Sequence, residues 1–256
     1  MNRSFMSTAW SKRILQLLIL AAIVGLWQLL VSAGEFNAIA VASPGSVANE
    51  LGSLLGNTTI WLDMLHTLRG LAIGYLAGVV VGTAIGTLMG VSAVVRAYLT
   101  PFVAFLNAVP RLALIPLLVA WLGFGQSQQV VLVFLVVVFM VLLTVQASVQ
   151  NIPKRFVDNA RMIGASRLEL VREVYLPAIG IWVISSARVA IGIGLQVALV
   201  GEFFGGHQGL GYMIEEGEAT YNTNLIYAAV VVTAVLAIVI DQLLGVVNRR
   251  AARWLP

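Results

Sequence analysis

The sequence predicts an all-α membrane protein that crosses the bilayer about six times. Three observations predict it: the composition, the spacing of long uncharged or nearly uncharged runs, and the side on which basic residues fall. Of 256 residues, 60% are hydrophobic and 10% charged, with a mean hydropathy of +0.96; soluble domains usually carry about 25% charged residues. Apolar runs near the length of one crossing occupy Ile14–Val31, Gly70–Val95, Pro101–Gly123, Val130–Val149, Ala178–Phe204 and Leu225–Val247. With the N-terminus inside, cytoplasmic segments hold Arg3, Lys12, Arg13, Arg96, Lys154, Arg155, Arg161, Arg167, Arg172, Arg249, Arg250 and Arg253, which is 12 of the 15 basic residues. The segments left outside, around 32–69, 124–129 and 205–224, hold Glu35, Glu50, Asp63, Glu215, Glu216 and Glu218, with Arg69 at a border. This bias puts both termini in the cytoplasm. It also accounts for the net charge of +4 without a nucleic-acid partner. Cysteine is absent, which excludes disulfides, thiol nucleophiles and Cys-ligated zinc.

The first run, with its basic start and Val31-Ser32-Ala33 at its end, imitates a cleavable signal peptide, but 18 residues is long for one and it reads as a retained span. Cleavage would leave five spans. Ser43-Pro44-Gly45-Ser46 then predicts a turn and the start of a short surface helix in an external segment over 34–62.

The second span carries Gly70, Gly74, Gly78, Gly82, Gly86 and Gly90, one every four residues. Each lets a neighbouring helix approach closely, which matters where lipid supplies no hydrophobic drive. A period of four drifts about 40° per step on an α-helix, so the stripe is expected to wind around the helix, which then touches more than one neighbour.

The third span holds Pro101, Pro110 and Pro116. Each proline costs a backbone hydrogen bond, and broken helix at membrane depth is tolerated only against protein or a water-filled cavity. This span is therefore expected to line a path. Asn107 and Arg111, four apart around Pro110, are candidate path residues; an arginine snorkelling to the interface or paired structurally is the competing reading.

Asn151–Tyr175 is the largest cytoplasmic segment, with eight charged residues among 25. Apolar Phe156, Ala160 and Ile163, then Leu168, Val171 and Val174, recur between the charges on either side of Gly164. Two short amphipathic helices joined at that glycine would suit the groove of a partner protein.

In the fifth span Arg188 and Glu202 are ionisable residues at costly depth. Fourteen residues separate them by about 21 Å along a helix, so each needs another partner; Gln196, two turns beyond Arg188, could face the same path. Asp241 is expected near water or Arg249. His66 and His207 read as isolated residues near the outer surface, and no ligand spacing suggests a metal site. The acidic stretch after Gly209 either meets an external partner or sits in water.

Asp158-Asn159-Ala160, Gly164 and Val174-Tyr175-Leu176-Pro177, at their spacing, resemble the cytoplasmic signature of binding-protein-dependent ABC importer permeases, with Asp158, Asn159 and Val174 departing from its usual residues. Asn107-Ala-Val-Pro-Arg-Leu-Ala-Leu-Ile-Pro116, Trp121-Leu-Gly-Phe-Gly125, Arg188-Val-Ala-Ile-Gly-Ile-Gly194, Gly201-Glu-Phe-Phe204 and Gly209-Leu-Gly-Tyr212 extend the resemblance over roughly 60–250, towards the nitrate, sulfonate and taurine branch. The resemblance implies a single type I permease domain over 1–256, in the inner membrane of a bacterium. It implies a second copy of the chain, two cytoplasmic ATPase subunits and an extracytoplasmic solute-binding protein as partners. It makes 151–176 the coupling loop, with Ala160, Gly164, Ala165, Ser166 and Leu168 in the ATPase groove, Arg161 and Arg167 at its rim, and Asp158, Leu176 and Pro177 framing it. No G-x-x-x-x-G-K-[ST] phosphate loop is present, so ATP and magnesium are expected on the partner and no cofactor on this chain. Aromatic carboxylates, thiamine-precursor pyrimidines and riboflavin are further solutes associated with that branch. A secondary transporter would show an internal repeat, and none is visible; nor does a nucleophile–base pair suggest an enzyme.

Overall fold

Apolar runs separated by Ser, Pro and Gly become helices separated by capped turns. The computed structural model describes residues 3–34 and 40–251, and every regular element among them is helical. Five helices are long and apolar enough to cross a membrane, and a bent pair can supply a sixth crossing. The chain divides into two units, Met1–Ile60 with Met213–Val231, and Trp61–Tyr212 with Val232–Pro256.

In the first unit, α1 (Arg3–Ser32) exposes nearly all its leucines and isoleucines, the surface a lipid-facing helix presents. It meets α2 (Pro44–Leu55) where Gln28 Oε1 accepts from Gly45 N at 3.2 Å. Ser43 starts α2 as the sequence predicts, its hydroxyl accepting from Ser46 N, with Pro44 in the first turn. The turn joining α10 (Leu210–Ala219) to α11 (Thr223–Ala251) is a Schellman closure with Tyr221 at φ 55°, where Asn222 N reaches Gly217 O and Tyr221 N reaches Glu218 O.

The second unit is organised by α6 (Gln126–Gln150). Along α3 (Thr58–Val91), Gly70, Gly74, Gly78, Gly82, Gly86 and Gly90 face Gln129, Val133, Val137, Val141, Val145 and Val149 in turn, so the two helices run in the same direction. A Cβ on any of these glycines would lie within 3.0 Å of α6 atoms. The stripe therefore stays on one neighbour instead of winding onto a second. A four-residue period on both helices keeps facing positions in register only if the pair coils right-handedly, as periods longer than 3.6 require. The second neighbour of α3 is reached by other residues: Leu71 packs on Gly194 and Tyr75 donates its hydroxyl to Ala187 O at 3.0 Å, both on α9 (Leu176–Gly205). Leu132, Val133, Val137, Ala190, Leu195 and Ala198 form the core between α6 and α9.

The third apolar run is not one crossing helix. The chain caps at Ser92, forms α4 (Ala93–Ala108), extends at Val109 and Pro110, makes a 3₁₀ turn (Arg111–Leu114) and resumes as α5 (Ile115–Leu122), bent by 78° from α4. Pro110 lacks the N–H that would continue α4. Arg96 closes the preceding break by donating to the last carbonyls of α3, Met89 O and Gly90 O.

Candidate functional site

The segment after α6 begins at Pro153 and makes α7 (Lys154–Met162). This helix ends in a Schellman motif: Ala165 N donates to Ala160 O at 3.0 Å and Gly164 N to Arg161 O at 2.9 Å, with Gly164 at φ +86°. No atom lies within 4 Å of a Cβ built on Gly164, so backbone conformation and not space demands the glycine there. Two residues on, Ser166 and Glu169 close a capping box, Ser166 N donating to Glu169 Oε2 at 2.7 Å and Glu169 N to Ser166 Oγ at 3.3 Å. The Ser166 donors hold the Glu169 carboxyl below its ordinary pKa.

The second half of the segment is not a separate short helix. A single turn, α8 (Arg167–Glu169), runs through a π-helical stretch (Leu170–Tyr175) directly into α9. Pro177 explains the wide turn, since it cannot donate to the carbonyl four residues back, and Leu176 N instead reaches Val171 O. The turn is therefore joined rigidly to a helix that reaches the far end of the unit. Met162, Ile163 and Leu168 expose 78%, 87% and 77% of their surface around Gly164. Asp158, Arg161 and Ser166 are exposed beside them, while Ala160 and Ala165 are half-buried beneath. The Arg167 side chain lies outside the described residues. Met162 joins the residues anticipated from sequence, where a single methionine next to a charge gives no signal.

Glu202 does not line an open path. Its side chain is 1% exposed, with Oε2 accepting from Thr67 Oγ1 and Gly211 N, each at 2.9 Å, and Oε1 accepting from Gln129 Nε2 at 2.8 Å. Thr67 in turn accepts from Leu210 N at 3.0 Å, and Asp63 from Gly209 N at 2.9 Å. Two carboxylates and a hydroxyl thus receive the backbone donors of the Gly209–Gly211 stretch. Gly209, at φ +109°, leaves room for the carboxylate, since a Cβ there would lie 2.3 Å from the carboxyl carbon. The Gly201-Glu-Phe-Phe and Gly209-Leu-Gly-Tyr motifs are two halves of one buried network. Asp63, Thr67 and Gln129 escaped the sequence reading; the Gln128-Gln129 pair opening an otherwise apolar helix was its available signal.

Neither histidine is isolated. His66 Nδ1 lies 3.5 Å from Glu202 Oε1, and His207 packs on Phe124 with ring centroids 5.3 Å apart. No group of three or more acidic or histidine side chains suited to a metal exists among the described residues.

Arg188 finds its partner in Asp241: Arg188 Nε and Nη2 donate to the two carboxylate oxygens, both at 2.9 Å, while the Arg249 side chain lies outside the described residues. The bidentate pair joins α9 to α11 across 53 residues of sequence, a pairing no local spacing announces. Both side chains are partly exposed, at 43% and 58%, and Gln196 is exposed on α9. Arg111 sits at the break between α4 and α5, with Nη2 donating to Asn107 Oδ1 and its guanidinium carbon 5.3 Å from the Phe139 ring centre.

A family model described as binding-protein-dependent transport system inner membrane component matches residues 74–253. The putative aliphatic sulfonates transport permease protein SsuC of Escherichia coli (strain K12) is 30% identical over 247 residues, 96% of this chain and 94% of that protein. The riboflavin transport system permease protein RibX of Chloroflexus aurantiacus is also 30% identical, covering 89% of this chain and 85% of its own. Among solved structures, a bacterial alginate ABC transporter in complex with an alginate pentasaccharide-bound periplasmic protein aligns with a TM-score of 0.68 at 15% identity, over 94% of this chain and 96% of that one. The chain belongs to the family of binding-protein-dependent transport system inner membrane components, the permease subunits of ABC importers.

Proposed function

We propose that two copies of this chain form the membrane path of an importer for a small organic anion of the sulfonate class, supplied by an extracytoplasmic solute-binding protein and powered by two cytoplasmic ATPase subunits that hold ATP and magnesium. The observation that carries the coupling role is the turn around Gly164: three large apolar side chains exposed within a charged segment, on a backbone fixed by two capping motifs. An apolar knob of this kind suits a partner's groove. Because α8 continues into α9, movement of the docked turn carries the long helix with it. Both termini lie on the cytoplasmic side in this reading, following the basic residues.

Riboflavin-type solutes are the second reading, favoured by a relative as similar as the sulfonate permease. Co-purification of the tagged chain with candidate ATPase subunits, followed by an ATPase assay in lipid with solute-loaded binding proteins, decides between them. Stimulation by a sulfonate-loaded binding protein supports the first reading. Stimulation by a riboflavin-loaded one alone transfers the assignment, and an ATPase that never associates removes the coupling role from the Gly164 turn.

A further inference from the structure

Helix α9 is anchored by polar side chains at two levels, and the two anchors differ in kind. At its C-terminal end Glu202 is 1% exposed and accepts from Thr67, Gln129 and Gly211. Fourteen residues earlier, about 21 Å along the helix, Arg188 donates to both carboxylate oxygens of Asp241, and 43% and 58% of these two side chains are exposed. Arg188 lies six residues inside the apolar stretch Trp182–Gly205, and Asp241 four residues from the end of Thr223–Gly245. Charges exposed at that depth are costly against lipid, which puts water on their open side. Opening the Glu202 anchor would strand a buried carboxylate, whereas both partners of the Arg188 anchor can be solvated where they stand. The first anchor is built to stay closed; the second can open and close.

Two further observations make the second anchor a moving part. Because α9 continues through the π-helical stretch from the turn around Gly164, displacement of that turn reaches Arg188 along an unbroken helix. Over residues 232–245 of α11, no side chain other than Asp241 hydrogen-bonds to another helix among the described residues, and Ala237 and Ile240 meet the core through aliphatic contact that leaves them free to slide. We infer that Arg188–Asp241 is a reversible latch: it holds the second half of α11 to α9 in the conformation described and is released when the docked turn moves, with α9 pivoting about its Glu202 anchor. The inference rests on the coupling reading and adds its regulation. The bidentate geometry fixes one closed register to which the helices return.

The test uses the complete transporter in proteoliposomes, with R188C and D241C introduced together into a chain that has no cysteine of its own. A short bifunctional methanethiosulfonate bridges the two thiols, and intact mass counts the bridges. Bridging is expected to lower ATP-driven uptake to the level seen without ATP, dithiothreitol to restore it, and each single-cysteine variant to lose nothing further on treatment. Uptake that persists in the bridged complex, or an equal loss in a single variant, overturns the latch. Where the double variant does not transport before bridging, spin labels at V189C and Q242C decide; both positions are exposed beside the intact pair, and labelled chains are diluted among unlabelled ones. Their separation is expected to lengthen when ATP and vanadate trap the complex, and an unchanged separation overturns the inference. ATP-driven uptake by the unmodified complex is scored in the same preparation. Its loss defeats the importer reading, whereas intact uptake with a bridged and still active pair defeats the latch alone.

Discussion

Replacing Gly164 separates the backbone requirement of the docking turn from its surface chemistry. At φ +86° an L-residue pays about 1–2 kcal/mol, and since nothing lies within 4 Å of a Cβ, no steric term adds to it. That cost is roughly a factor of 5–30 in the population of the native turn. When the turn opens, the bonds from Ala165 N and Gly164 N to Ala160 O and Arg161 O are lost, and Ile163 and Leu168 no longer project together. Asparagine tolerates this conformation better than alanine. The expected order of ATP-driven uptake at matched membrane level is therefore Gly164, then Gly164→Asn, then Gly164→Ala. Gly164→Asp shares the backbone tolerance of asparagine but places a charge amid Met162, Ile163 and Leu168, so it is expected to abolish uptake while leaving the chain in the membrane. Uptake is measured in vesicles with immunoblots for chain level and ATPase retention. Full uptake by Gly164→Asp refutes the docking reading, and full uptake by Gly164→Ala refutes the conformational argument.

Glu202→Gln replaces a charge-assisted acceptor of three hydrogen bonds, each worth about 1.5–3 kcal/mol, and is expected to lower the unfolding midpoint of the purified chain by several degrees; an unchanged midpoint contradicts the network. Gly82→Val puts a Cβ 2.7 Å from Val138 O, and detergent extraction is expected to yield little folded protein. Arg188→Ala is expected to impair folding or uptake more than the double change with Asp241→Ala, because removing both partners leaves no unpaired acid. The lowered pKa of Glu169 means that its cap adds stability above the ordinary carboxylate range and loses it only as pH falls through the lower folded value. ATPase retention should therefore be insensitive to pH across the neutral range and decline in acid, and Glu169→Gln should weaken it already at neutral pH.

Local patterns announce most of the helices. The glycine period, Ser43-Pro44, Pro110 and Gly164 each act within a few residues, where backbone sterics and capping decide conformation, so close approach, helix start, break and turn are legible from sequence. The partner of the glycine stripe was less legible, because whether it winds depends on a supercoil set by the valines of α6. Pairings over long sequence separations were not legible at all. Glu202 with Thr67 and Gln129, and Arg188 with Asp241, are determined by how α3, α6, α9 and α11 pack. Phase arguments within one helix could say only that Arg188 and Glu202 do not pair with each other. The continuity of α8 into α9 was hidden because Leu176-Pro177 reads as a helix boundary, whereas a π turn absorbs the missing donor.

The central claim is that the turn around Gly164 couples this permease to ATP hydrolysis. Reconstitution of the chain with its ATPase subunit in proteoliposomes, with a sulfonate-loaded binding protein outside and ATP enclosed, tests it most directly. The account predicts solute accumulation that requires ATP, requires the binding protein and disappears in Gly164→Asp. Accumulation without ATP, or undiminished accumulation by that variant, would contradict it.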